Sequence, residues 1–178
     1  MTTEANGARP GVAAQPRSRA LARAMELWVV VPQWLRMLVP VAAMFLLWRL
    51  SAREPDQEPQ STMHSLLHNS MHVIAYGCLA ASVWLAWSRK PVTAVHAFRS
   101  RGAWLIAAAY GVVDELHQSY VPGRVCSVAD LASDAVGAAL AILLLRAIAG
   151  IGPKSGLMVG ALLCFAIGSV VGATFLGW

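Results

Sequence analysis

Charged residues are scarce in this chain. They fill 13% of its 178 positions, and only nine of them are acidic. A water-soluble domain averages about 25% charged residues. A sequence this poor in charge and 57% hydrophobic cannot clothe a globule in water. Cysteine is sparse too: Cys78, Cys126 and Cys164 form neither a disulfide framework nor a paired metal-binding pattern. No H-E-x-x-H run occurs, and no internal repeat is visible. The net charge of +5 would suit nucleic acid. The cations, however, sit in short segments between apolar runs, where they orient helices, and that excludes a nucleic-acid partner.

What the chain has instead is long apolar runs, with a mean hydropathy of +0.56. Crossing the bilayer core takes roughly 20 apolar residues as a helix. Five such segments can be drawn, at 34–50, 66–87, 102–118, 128–145 and 157–176. The expected fold is therefore all-α, a polytopic transmembrane bundle of about five spans, with residues 27–178 as one domain. The first span is the least regular. Arg36 and Arg49 bracket it, Pro40 lies within it, and Leu27 to Val31 either extend it upstream or form an interfacial turn anchored by Trp28 and Trp34. Residues 1–26, rich in Ala, Gly, Pro and Arg, read as a disordered cytoplasmic tail without the apolar core of a secretory signal.

Lys and Arg collect on the cytoplasmic side of membrane proteins. Here they gather in the N-terminal tail (Arg9, Arg17, Arg19, Arg23), in the 88–101 loop (Arg89, Lys90, Arg99, Arg101) and after the fourth span (Arg146, Lys154). The 51–65 connection is acidic apart from Arg53, and the 119–127 loop has only Arg124. Every second loop thus agrees on an N-terminus inside and a C-terminus outside. The expected location is a membrane whose cytoplasmic face lies on the N-terminal side, with membrane lipids as partners.

Against that background the run from Tyr110 to Asp134, YGVVDELHQSYVPGRVCSVADLASD, stands out. It holds four of the nine acids, Asp114, Glu115, Asp130 and Asp134, with His117, Gln118 and Arg124 among them. Ionisable groups beside hydrocarbon are costly and mark function by default. On a helix Asp114 shares a face with His117 and Gln118, and Tyr110 continues that stripe. Tyr120-Val121-Pro122-Gly123 is a turn. Ser127 and Asp130 form an S-x-x-D start for the next helix, and Asp134 lies one turn further on. Two readings follow. In one, Arg124 neutralises the acids and staples the hairpin. In the other, the acids and the guanidinium take a polar ligand, and four acids against one arginine exceed what a staple needs.

The stretch Y-G-V-V-D-E-L-H-Q-S-Y-V-P-G-R, followed by S-V-A-D-L-A-S-D-A-V-G-A, resembles the VanZ-like family of bacterial membrane proteins, named for a protein associated with teicoplanin resistance. Its acidic pair, Gln, Gly-Arg, Asp and small-residue helix fall on Asp114, Glu115, Gln118, Gly123, Arg124, Asp130 and Gly137. An upstream motif matches at His72, Tyr76 and Gly77, although the family's Asp-Lys pair reads His68-Asn69 and its usual Asn reads Asp134. The resemblance covers about residues 35–148. It implies a small helical protein of the cell envelope and no settled reaction.

His64, His68 and His72 recur at helical spacing and offer a metal-binding alternative. Otherwise no metal or cofactor is expected, and His72 hydrogen-bonds within the bundle, with Glu115 its nearest candidate. Cys78 and Cys164 read as buried small hydrophobes, and Cys126 as a free thiol of the outer loop. Small residues at Gly156, Gly160, Gly168 and Gly172, and at Ser133, Gly137 and Ala141, permit close helix packing inside the bundle or a homo-oligomer. Three functions compete. The protein binds or modifies an anionic lipid-linked cell-wall intermediate, with Glu115, Asp114 and His72 as catalytic acid and base and with Gln118, Arg124, Asp130, Asp134 and His117 as ligand contacts. Alternatively it is a non-enzymatic envelope factor that alters glycopeptide access, or a proton-coupled transporter using Asp130 and Asp134.

Overall fold

The computed structural model describes residues 19–54, 61–88, 96–124, 126–148 and 156–176. Among these the chain is all-α: α1 (Arg19–Val30), α2 (Gln33–Ser51), α3 (Thr62–Ala86), α4 (His96–Gln118), α5 (Val128–Ile148) and α6 (Gly156–Leu176). Three helices, α2, α5 and most of α6, are both long and apolar enough to cross a membrane. The other two long helices have 25 and 23 residues; the expected second span overlaps α3 up to its end at Ala86, and the third lies within α4. Large apolar side chains such as Leu38, Phe45, Leu163, Phe165 and Ile167 point outward. Water would penalise that surface, and lipid accepts it. The protein is a membrane protein.

The central helix is α3, which packs on α2, α4, α5 and α6, most extensively on α5. Its buried side, Tyr76, Leu79, Ala80, Val83 and Trp84, meets Ala103 and Ala107 of α4 and Ala138 and Ile142 of α5. Alanine dominates the facing helices. Helix association in lipid lacks the hydrophobic drive and depends on close backbone approach, which small residues allow.

The N-terminal region differs from the sequence expectation in two ways. Residues 19–26, expected to be irregular tail, are helical in α1, and residues 1–18 lie outside the described part. Leu27 to Val31 neither extends α2 nor forms a simple turn, because α1 ends before Pro32. The residue before a proline is pushed out of the α region. Pro32 itself is extended (φ −51°, ψ 138°) and caps α2, accepting from the backbone N–H groups of Leu35 and Arg36. Arg36, expected to mark a span boundary, is 4% exposed. It donates to the carbonyls of Ser88 (2.6 Å) and Val31 (3.0 Å), tying the start of α2 to the end of α3.

Two packing expectations fail. Cys78 and Cys164 are exposed: they lie on outward faces of the bundle, where a small apolar thiol suits lipid as well as it suits a core. A Cβ at Gly156, Gly160, Gly168 or Gly172 would meet nothing within 4 Å, so these glycines of α6 do not serve close helix approach inside the bundle. Those of α5 are.

Candidate functional site

The site is positioned by the crossing of α3 and α5. A Cβ at Gly137 would lie 2.1 Å from the Val73 carbonyl oxygen and 2.7 Å from the Val73 Cα. Only glycine lets the two backbones come this close. One α-helical turn before Gly137 is Asp134, and the residue before Val73 is His72. The crossing therefore puts them together, with His72 Nδ1 3.0 Å from Asp134 Oδ1. Both are buried, Asp134 almost completely. The second oxygen, Asp134 Oδ2, presses on α4 at Gly111, where a Cβ would come within 2.9 Å of it.

The hairpin between α4 and α5 supplies the rest. Arg124 N–H donates to Val121 C=O (3.1 Å), and Gly123 has φ 79°. This is a tight turn with Pro122 second and Gly123 third, a geometry that needs the positive φ that glycine tolerates. At the start of α5 the Ser127 Oγ accepts from Asp130 N–H (3.2 Å), half of a capping box. In a complete box Asp130 would in turn accept from the Ser127 N–H. Here Glu115 takes that place from α4, with Oε2 2.8 Å from Ser127 N. The exchange leaves Asp130 Oδ1 buried without a hydrogen-bond partner, and Glu115 Oε1 likewise. His72, Glu115 and Asp130 each bring one potential ligand atom within 4.8 Å of the other two.

Beside this triad, at the same end of the bundle, a pocket of about 290 Å³ opens between α2, α3 and α4. Leu47 and Leu50 from α2 and Met71 and Ala75 from α3 form apolar walls, and Arg53, Arg124, His68, His72, Asp114 and Gln118 supply the polar lining. Arg124 Nε donates to the Arg53 carbonyl (3.2 Å), which anchors the hairpin turn to the end of α2. Gln118 Nε2 donates to Asp114 Oδ2 (3.2 Å), one turn apart as the helical spacing requires. Asp114 Oδ1 is buried without a partner.

The sequence model of the VanZ/LLP1 family matches residues 15–149, most of the chain. The chain belongs to the VanZ/LLP1 family. No curated protein and no solved structure matches it. The family region begins earlier than the resemblance suggested, at residue 15 and not near 35, so α1 is part of the VanZ/LLP1 unit.

The residues of the VanZ-like motif fall in two adjoining places. Asp114, Gln118 and Arg124 line the pocket, while Glu115, Asp130 and Asp134 sit behind it, and His72 touches both. Four expectations are corrected by this arrangement. Arg124 does not staple the acids: its Nε goes to the Arg53 carbonyl, and it is His72 that pairs with Asp134. His72 bonds to Asp134 and not to Glu115. The histidine stripe does not form a metal group, since His64 and His68 are exposed and the ligand atoms near His72 come from carboxylates. His117 turns to α2, stacking on Trp48 with ring centroids 3.6 Å apart, and does not line the pocket. Arg53 was read only as a loop charge, yet it lines the pocket. Its signal was present in the sequence: it is the one cation in an otherwise acidic connection.

Proposed function

We propose that this VanZ/LLP1 protein binds the anionic headgroup of a membrane lipid, such as a polyprenyl-phosphate-linked cell-wall intermediate, in the pocket between α2, α3 and α4. The observation that carries the proposal is the pairing of two arginines, Arg53 and Arg124, with walls of Leu47, Leu50 and Met71. A planar guanidinium fork suits phosphate, and the apolar walls suit the first methylenes of a chain. At about 290 Å³ the pocket lies at the low end of ligand-site volumes, which run roughly 300–1,000 Å³, so it takes a headgroup and not a whole lipid. With the helices α2 to α6 as five spans and the N-terminus inside, as the loop charges indicate, this end of the bundle faces out of a bacterial cytoplasmic membrane.

A phosphate held there stands beside His72 and Asp114, an acid/base pair in reach of a headgroup. Glu115, the third candidate, does not line the pocket. That favours binding without turnover as the second reading, in which the protein shields an envelope lipid and alters antibiotic access. A proton pathway is disfavoured because the acids collect at one end of the bundle. The test is native mass spectrometry of the protein released from nanodiscs containing undecaprenyl phosphate. Arg124→Ala and Arg53→Ala are expected to abolish the lipid adduct while the protein still inserts. Adducts of wild-type abundance in both variants would sink the proposal. Incubation with a lipid-linked substrate and analysis of the products then separates turnover from binding.

A further inference from the structure

We propose that His72, Glu115 and Asp130 form a binding site for a divalent cation of the zinc and manganese class. This goes beyond lipid binding and stands on separate observations. The three potential ligand atoms lie within 4.8 Å of one another. Bonds of about 2.0–2.2 Å place tetrahedral ligand atoms ~3.4 Å apart, so modest side-chain rotation closes the set. Glu115 is 1% exposed, and its Oε1 has no hydrogen-bond partner. Asp130 Oδ1 is in the same condition. Two buried carboxylate oxygens without partners, next to an imidazole, carry an uncompensated cost that a cation removes.

The surrounding bonds are those a metal centre requires. His72 Nδ1 is engaged by Asp134, which leaves Nε2 as the ligand nitrogen and fixes the ring by a carboxylate–imidazole contact of the kind that orients metal-bound histidines. Glu115 Oε2 is held by Ser127 N–H, so Oε1 is the ligand oxygen. Asp130 is spared its capping role for the same reason. One nitrogen and two oxygens exclude a soft thiolate site and suit Zn²⁺ or Mn²⁺. Three protein ligands leave coordination positions open. His72 also lines the lipid pocket, so the open side of the ion is next to the headgroup position.

The experiment is metal analysis by inductively coupled plasma mass spectrometry, with calorimetric titration of chelator-treated protein by Zn²⁺ and Mn²⁺. Wild type is expected to bind about one equivalent. Glu115→Gln and Asp130→Asn should each weaken binding tenfold or more, and Asp130→His, which restores a ligand, should recover it. Asp134→Asn should weaken it about 10- to 100-fold, the usual effect of removing a contact that orients a ligand. Asp114→Asn, which alters the pocket but not the triad, should bind as wild type. Wild type that takes up neither ion, or triad variants that bind as wild type, would overturn the site. If the variants fail to fold, Co²⁺ loading of wild type decides: a ligand-field spectrum supports the site and its absence refutes it. The lipid proposal fails separately, because Arg124→Ala is expected to lose lipid and keep the ion.

Discussion

The substitution Gly137→Ala tests the geometry on which the site depends. The added Cβ would lie 2.1 Å from the Val73 carbonyl oxygen, where an ordinary contact is about 3.4 Å or more. The obstruction is backbone, so no rotamer change relieves it, and α3 and α5 must part by roughly 1 Å. Such overpacking costs ~1–3 kcal/mol. The same displacement stretches the 3.0 Å bond between His72 and Asp134 beyond hydrogen-bond range. A buried charge-assisted bond contributes a further ~1.5–3 kcal/mol. The combined loss of about 2.5–6 kcal/mol lowers the midpoint of thermal unfolding by roughly 5–24 °C for a chain of this size. Differential scanning fluorimetry in detergent measures it. Gly160→Ala is the control: the same change where nothing lies within 4 Å, with an expected shift near zero. If Gly137→Ala and Gly160→Ala melt alike, the close crossing is not what holds His72 to Asp134.

Two further outcomes are expected. Cys126 is exposed in the loop between α4 and α5, so a membrane-impermeant maleimide added to intact spheroplasts should label it in a Cys78→Ala/Cys164→Ala background. Labelling only after lysis would reverse the proposed orientation. Glu115→Ala strips the acceptor from a buried Ser127 N–H and should cost about 1–3 kcal/mol, whereas Glu115→Gln keeps a carbonyl acceptor and should stay close to wild type. Equal melting of the two would show that the bond across the hairpin contributes nothing to stability.

Helices α2 to α6 were legible because their signals are local, whereas α1 was read as tail. Apolar runs locate α2 to α6, although α3 and α4 start at Thr62 and His96, ahead of the runs at 66 and 102, and Ser127 with Asp130 marks the start of α5 through a contact three residues apart. The turn at Pro122-Gly123 was legible for the same reason. Illegible were the contacts that join distant segments. Helical periodicity shows that Asp114 and Gln118 share a face, but it carries no information on which carboxylate His72 meets 62 residues away. That choice is made by Gly137 against Val73, a close approach that a list of small residues does not reveal: Gly160 and Gly168 look similar in sequence, yet a Cβ there would meet nothing within 4 Å. Arg36 was misjudged because an arginine at the end of an apolar run usually snorkels to the interface, and here backbone carbonyls of Ser88 and Val31 take its N–H groups instead.

The exchange of caps at α5 connects these levels. A serine three residues before an aspartate ordinarily closes on itself, and both residues are then consumed by the helix end. Glu115 interrupts that closure by accepting the Ser127 N–H from another helix. One hydrogen bond thus does two things. It fixes the hairpin from α4 to α5, and it releases Asp130 from the duty its position implies. The released carboxylate can face His72 only because the α3–α5 crossing has brought that ring to the same level. An acidic pair at 114 and 115 then divides by helical geometry. Asp114 lines the pocket and Glu115 turns behind it to the cap, so adjacent residues of one motif serve two neighbouring sites. Asp114→Asn and Glu115→Gln should consequently separate in their effects: the first acts on lipid and the second on the ion.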